Sequence, residues 1–383
     1  MKKRRIAVVT GIRSEYHILE SVMGAIEAHP KLVLRVVVTG THLSPRFGST
    51  WRLVARDFPI AAKVPSLLPG DTLLDRARSL GRQTAALARC FHKLKPDIVA
   101  VLGDREESLA TASACAYLNI ACAHISGGDR SRGTVDDLVR HSVTKLAHLH
   151  FPTTSENAIR IVKMGEEPWR VKAVGASGLD RLRAHTSCSR ADFLKTFGIP
   201  DQDFVLVIQH PVSSQVKDAA AQMRLTLEAI LRSKLAALIV HPNSDAGSRA
   251  MILEIQRFNK PGNWAVRTTL EGWHYTNALR HARAMVGNSS AGLLEAPFMA
   301  CPAINVGLRQ SERTAGPNLI RVPHSIPAIL GALKKAASPA YRRRLTTPQC
   351  RHLYGDGHTG IRIAQTLAKV PLGTKLLNKP ICY

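Results

Sequence analysis

The 383-residue sequence predicts two α/β domains in tandem, each a parallel sheet with helices on both faces. Three observations predict this. Short β-branched runs end in glycine or a turn residue, amphipathic segments follow most of them, and the whole pattern restarts after roughly residue 180. The length agrees, being too great for the usual single core.

In the first half the runs are RIAVVTG, VLRVVVTG, DIVAVLG, ACAHISGG and LHFPTT. Between the first two, EYHILESVMGAIEAH spaces Leu19, Met23 and Ile26 as one helical face. SLATASACAYLNI reads as a helix of small residues packed close to a sheet. SGLDRLRAHTSCSRADFLKTFGIPD looks like the connection between the halves. Beyond it DFVLVIQHP, LAALIVHPN, WAVRTT, ARAMVGNSS and PAINVG alternate with helices such as MRLTLEAILRSK. There is no low-complexity linker and no short tandem repeat.

Composition narrows the function classes. A hydrophobic content of 45% is that of a globular chain. No apolar run reaches the ~18 to 20 residues needed to cross a bilayer. MKKRRIAVVTG has too short an apolar core for a signal peptide, so a cytoplasmic location is expected. Seven cysteines without a C-x-x-C pair argue against a disulfide framework or a structural zinc site, and no metal is expected. The formal charge of +25 attracts anions: nucleic acid, an acidic membrane or a phosphorylated metabolite. The basic residues are scattered and aromatics make up only 5%, which disfavours a single-strand nucleic-acid platform. The clusters KKRR and YRRRL read as solvated faces.

In open parallel sheets ligands sit beyond the carboxyl ends of strands, and the polar motifs lie there. GNSSAGLLEAP follows a strand and opens a helix, so Ser289, Ser290 and the following N–H groups offer an anion site, with a plain serine cap as the alternative. Arg309 and Arg313, in NVGLRQSERTAG, favour a diphosphate there. Glu295, about a turn later, is placed to accept from ribose hydroxyls. VVTGIRSEY puts Arg13 just after the first strand. Neither G-x-G-x-x-G nor G-x-x-x-x-G-K-[ST] occurs, so this is neither a dehydrogenase nor an ordinary ATPase, and no redox cofactor is expected. LGDREE sets Asp104 at a strand end, as cap or catalyst. HISGGDRSRGTVDDLVRH supplies Asp129, Asp136 and Asp137 on a loop and a helix start, and QHPVS places His210 after the first strand of the second half.

In this order the motifs resemble the hydrolysing UDP-N-acetylglucosamine 2-epimerases, the branch that starts sialic acid synthesis. The likeness covers almost the whole chain. It is carried by VTGIRSEY, VTGTHLSPRFG, LKPDIVAVLGDR, AHISGG, DDLVRHSVTKLAHLHF, VGASGLD, QHPVS, HPNSDAGS, MVGNSSAGLLE, INVGLRQ and YGDG. The resemblance implies two Rossmann-like domains around a deep cleft, as in the glycosyltransferase-B architecture. The boundaries expected are 1–180 for an acid–base domain and 181–383 for a UDP-binding domain whose C-terminal helix returns to the first. It also implies a homodimer, with nucleic acid disfavoured as a partner despite the charge. By position, Arg13, Asn243, Ser289, Ser290, Glu295, Arg309 and Arg313 look like the nucleotide-binding set. Asp104, Asp136 and His210 look catalytic, His42 in GTHLS lines the sugar pocket, and Tyr275 lies near the base.

One position departs from the family. Many relatives carry glutamate immediately before the two glycines of H-I-x-G-G, where this chain has Ser126; others carry an acid just after them, where this chain has Asp129. The implied reaction is elimination of UDP from UDP-N-acetylglucosamine, then hydration of the glycal to N-acetylmannosamine. Arginines stabilise the departing diphosphate, and carboxylates move the protons at C2. Two other readings stay open: a 2-epimerase for a UDP-diacetamido-trideoxy sugar, as on the legionaminic acid route, and a catalytically impaired relative that binds UDP-sugar or nucleic acid.

Overall fold

The computed structural model describes residues 3–69, 72–130, 135–242, 247–258, 263–270, 272–310 and 315–382. The chain divides into two compact units, Met1–Asp180 with Gly357–Tyr383, and Arg181–Asp356. In the first unit the strands are β1 (Arg4–Thr10), β2 (Leu32–Thr39), β3 (Ile60–Val64), β4 (Ile98–Leu102), β5 (Ala121–Ile125) and β6 (Leu149–Phe151). They pair in parallel in the order β3-β2-β1-β4-β5-β6. The second unit holds β7 (Phe204–Ile208), β8 (Ala236–Val240), β9 (Trp264–Arg267), β10 (Ala284–Gly287), β11 (Ala303–Val306) and β12 (Leu319–Val322). Its order, β9-β8-β7-β10-β11-β12, is again parallel throughout. Both are the doubly wound arrangement, so each unit is Rossmann-like. The order reverses between β1 and β4 in one unit and between β7 and β10 in the other, and such switch points are where open sheets bind ligands.

Every residue of β4, β5 and β7 is buried, as apolar strands covered by helices on both faces require. Strands β3 and β12 were not among the runs legible in the sequence. Both lie at sheet edges, where β3 alternates half-buried and exposed positions and β12 has no fully buried residue. The apolar signal of an edge strand is correspondingly weak.

The helical face anticipated at Leu19, Met23 and Ile26 is fully buried in the helix Arg13–Ala28. It shares its core with Ile363, Ala364 and Leu367 of the helix Thr359–Lys369. The two helices approach so closely that a β-carbon on Gly360 would lie 2.5 Å from the Ser21 carbonyl oxygen. Asp180 receives the N–H groups of Thr359 at 2.9 Å and Gly360 at 2.6 Å, which satisfies the first turn of the second helix.

The last residues are bound into the first unit by two cations. Arg170 donates to the carbonyls of Leu376 (2.7 Å), Lys375 (3.0 Å) and Asn378 (2.9 Å). Lys379 donates to the carbonyls of Lys145 (2.5 Å) and Ala147 (2.7 Å), at the end of the helix Val135–Leu146. It also pairs with the fully buried Glu166, as do Lys145 at 2.6 Å and His150 at 3.0 Å. With three donors, the Glu166 carboxyl is held down at about 2 despite its burial.

Candidate functional site

At the first unit's switch point Arg140 gathers the acids. It is buried in the helix Val135–Leu146, yet its guanidinium forms an ion pair with Asp104, just beyond β4. It also reaches Asp137 one turn back at 2.7 Å and donates to the backbone carbonyl of Asp129 at 3.2 Å. One planar fork thereby ties a strand end, a loop and a helix start together. Asp129 turns its own carboxylate to the Arg130 N–H at 2.9 Å. Asp136 is exposed on the first turn of the helix, and Arg13 is the first residue of the helix that follows β1. Ser126 lies directly past β5 in the left-handed region at φ 61°, and its N–H donates to the Phe151 carbonyl at 3.0 Å.

Behind these groups lie buried titratable residues. His42 is fully buried with both ring nitrogens engaged, 3.1 Å from Thr10 Oγ1 and 2.8 Å from Thr50 Oγ1. Burial, reinforced by His17, lowers it to about 4. The ring brackets the loops after β1 and β2, so it offers no free polar atom of the kind expected of a pocket-lining group. His124 is likewise internal, held by the Gly103 carbonyl at 2.7 Å and Thr144 at 3.1 Å, and burial lowers it to about 3. Glu15 and Glu107, beyond β1 and β4, are buried carboxyls raised chiefly by desolvation, with Glu107 adding to the shift of Glu15 and Glu106 to that of Glu107. Glu15 is pushed up to about 8, although it accepts the Gly11 N–H at 2.9 Å, and Glu107 is shifted upward while taking Arg105 Nε at 3.2 Å.

At the second unit's switch point a neutral amide fixes the backbone. Asn288, just past β10, is buried and clamps the backbone of His210, just past β7. Its amide oxygen accepts the His210 N–H at 2.7 Å, and its amide nitrogen donates to the His210 carbonyl at 2.8 Å. The strands meet so closely that a β-carbon on Gly287, at φ 137°, would lie 2.1 Å from the Ile208 carbonyl oxygen. The Asn288 carbonyl in turn accepts from Arg309 Nη1 at 3.3 Å and Gln310 Nε2 at 3.2 Å. Ser289 and Ser290 follow directly and are partly buried. The helix they open, Ala291–Leu294, is a single turn, with Pro297 shortly after it. Its dipole is therefore small, and the expected helix-terminus site reduces to loop N–H groups and arginine. Tyr275 donates its hydroxyl to Glu295, and burial raises both groups.

Asn243 and Arg313 lie outside the described residues. The structure thus joins Asp104 with the Asp129 loop, His210 with the Ser289 loop and Arg309, and Tyr275 with Glu295. Four residues were missed as parts of the site. The spacing of Asp136, Asp137 and Arg140 in DDLVR was a readable signal for the arginine. Asn288 was quoted within GNSS and given no task. Nothing in residue type alone distinguishes Glu15 and Glu107 from exposed acids. Among the described residues no group of three His, Cys, Asp or Glu is arranged to hold a metal ion, and no helix is long and apolar enough to cross a membrane.

Residues 24–368 match the family model described as UDP-N-acetylglucosamine 2-epimerase. The chain belongs to this family. Within it, the chain is 34% identical to the UDP-N,N'-diacetylbacillosamine 2-epimerase (hydrolyzing) of Legionella pneumophila, over 99% of this chain and 100% of that one. It is 30% identical to the UDP-N-acetylglucosamine 2-epimerase of Neisseria meningitidis serogroup B, over 88% of each. The chain is an enzyme of the hydrolysing branch, acting on a nucleotide sugar. Among solved structures, the UDP-N-acetylglucosamine 2-epimerase from Neisseria meningitidis bound to UDP-GlcNAc shares the fold with a TM-score of 0.75 at 18% identity, over 96% of this chain and 100% of that one. A calicheamicin glycosyltransferase shares it at 0.60 and 13% identity, over 97% of this chain and 100% of that one.

Proposed function

We propose that this family member cleaves UDP-N,N'-diacetylbacillosamine, releasing UDP and the free 2-epimer of the sugar. Similarity to the Legionella enzyme over 99% of the chain is the observation that carries the substrate choice. UDP-N-acetylglucosamine is the second reading, favoured by the Neisseria relative. In either case the C2–H bond is not acidic, and its proton leaves as the C1–O bond to UDP breaks and positive charge builds at C1. A carboxylate at the first unit's switch point, Asp104, Asp129 or Asp136, takes that proton. Asp129 stands in for the glutamate that Ser126 replaces. His210, Ser289, Ser290, Arg309 and Arg313 hold the departing diphosphate, while Arg13, Asn243, Tyr275 and Glu295 bind the rest of the nucleotide. Water then adds its hydroxyl to C1 of the glycal, and an acid returns a proton to C2 from the opposite face.

Incubation with each UDP-sugar in deuterated water, followed by NMR, tests the proposal. UDP and a free sugar deuterated at C2 should appear, faster from the diacetamido substrate. Faster turnover of UDP-N-acetylglucosamine transfers the assignment to the second reading, and two intact substrates overturn both. The reading includes a homodimer located in the cytoplasm; sedimentation at assay concentration would expose a monomer.

A further inference from the structure

A second cationic pocket lies within the Arg181–Asp356 unit, at the opposite end of its sheet from the Ser289 loop. Its volume is about 360 Å³, and its charged and polar lining is Arg190, Asp203, Arg280, His281, Arg283 and Arg342. Asp203 immediately precedes β7 and Arg283 immediately precedes β10, so the pocket sits at the amino ends of the two central strands. His210 and Asn288 lie past the carboxyl ends of the same strands. A strand of this length separates the two ends by roughly 13 Å.

Four guanidinia and one carboxylate line it, and two of the arginines pair with that carboxylate. Asp203 pairs with Arg283 at 2.5 Å and with Arg190 at 3.4 Å, and its side chain remains 53% exposed. Arg190 is further held by Asp201 at 2.6 Å. Arg280 and Arg342 are fixed by neutral acceptors, which orient these cations without neutralising them. Arg342 donates to the Arg283 carbonyl at 3.1 Å, Arg280 to Asn277 Oδ1 at 2.9 Å, and the His281 ring is held 3.0 Å from the Cys188 carbonyl. Like charges gathered around one small pocket repel one another, and an anion seated among them would relieve that repulsion. Burial and the neighbouring Arg280 and Arg190 depress His281, as an excess of positive field requires.

We propose that this pocket binds a small, multiply charged anion of the phosphoester or diphosphate class. Arginine's planar fork matches phosphate oxygens. The volume lies at the small-metabolite end of the usual ~300–1,000 Å³ range, which suits a compact ligand better than a polymer. The lining histidine is tied to the Cys188 carbonyl and the lining carboxylate to two arginines, so the ligand is bound and not consumed. The pocket is separate from the nucleotide site proposed above and stands whether or not that assignment holds.

Calorimetric titration of the full chain with sodium pyrophosphate, with UDP saturating and ionic strength held constant, tests it. One equivalent should bind saturably. Replacing both Arg280 and Arg283 by Gln should weaken binding about tenfold or more, with Arg280→Gln alone intermediate. Asp203→Asn, which removes the only lining carboxylate, should tighten it about threefold. Absence of saturable binding at millimolar pyrophosphate overturns the proposal, as does an unchanged affinity in both arginine variants. If a short DNA duplex binds in an Arg280- and Arg283-dependent manner while pyrophosphate does not, the small-anion assignment is wrong and the face is a polymer-binding surface.

Discussion

The two switch points solve the same geometric problem with different chemistry. In the first unit the groups beyond β1 and β4 are ionised or titratable, and Arg140 collects Asp104, Asp137 and the Asp129 loop by charge. In the second unit the groups beyond β7 and β10 are held by an amide clamp and a glycine contact, with Asn288 and Gly287 in place of an ion pair. The difference follows from the work proposed for each. Proton transfer needs carboxylates with tuned neighbours, whereas gripping a diphosphate needs a rigid backbone that presents N–H groups and leaves no competing anion nearby.

The sharpest way to break the comparison is Gly287→Ala. The new β-carbon would meet the Ile208 carbonyl at 2.1 Å with backbone on both sides, at a φ of 137°. Neither strand can yield without parting β7 from β10, so a loss of about 3 kcal/mol or more is expected. In calorimetry the second unit should melt well below its wild-type temperature. An unchanged melting profile would show that the close contact is relaxed in solution.

Next comes Asp104→Asn, which keeps the shape beyond β4 and removes the charge facing Arg140. Turnover should fall by about two orders of magnitude or more, with UDP affinity nearly unchanged. Asp129→Asn should behave alike if Asp129 supplies the acid absent at Ser126. A silent Asp129→Asn, with Ser126→Glu raising activity, would make Asp129 a loop acid that serves only through its backbone carbonyl.

How much of this was legible depended on burial. The ten strands read from the sequence include the edges β6 and β9, while the edges that escaped, β3 and β12, carry Lys63 and Arg321 within short runs that bury little. Strand-end positions were legible where a motif marks them, as at Asp104, His210 and Ser289. They were not legible where function depends on a partner far along the chain. Glu15 and Glu107 become a pair only when β1 and β4 are neighbours, and Asn288 becomes a clamp only when β10 lies beside β7.

That carboxyl pair supplies a prediction about pH. Glu15 is raised from its ordinary 4.5 to about 8, so across that interval the folded state holds a proton that the unfolded state has released. Its contribution to stability is complete below pH 4.5 and is lost as pH rises toward 8. Glu166 has the opposite sign, since its carboxyl at about 2 contributes above pH 4.5 and loses that contribution as pH falls toward 2. His42 and His148, both lowered by burial to about 4, also favour the folded state as pH rises toward 6.5. The whole-protein curve mixes these limbs, so the difference from wild type is the quantity to measure. Glu15→Gln should gain stability relative to wild type progressively between pH 4.5 and 8, by about 1 kcal/mol or more. A flat difference in denaturant melts would remove the buried pair from the account.

The smallest effect tests the neutral clamp. Asn288→Ala deletes both hydrogen bonds to the partly buried His210 backbone, while the Asn288 carbonyl that receives Arg309 and Gln310 is retained. Losing such a pair typically costs about 1–3 kcal/mol, part of it in folding and part in the order of the loop. UDP affinity should therefore drop by about tenfold. Because the clamp carries no charge, the same factor should be found at low and high salt. A mutation acting through the Arg140 ion pairs should vary with salt, since screening weakens charges that reach solvent. If the Asn288→Ala factor shrinks steeply as salt is raised, the second switch point works by charge after all, and the contrast between the two units fails at this residue.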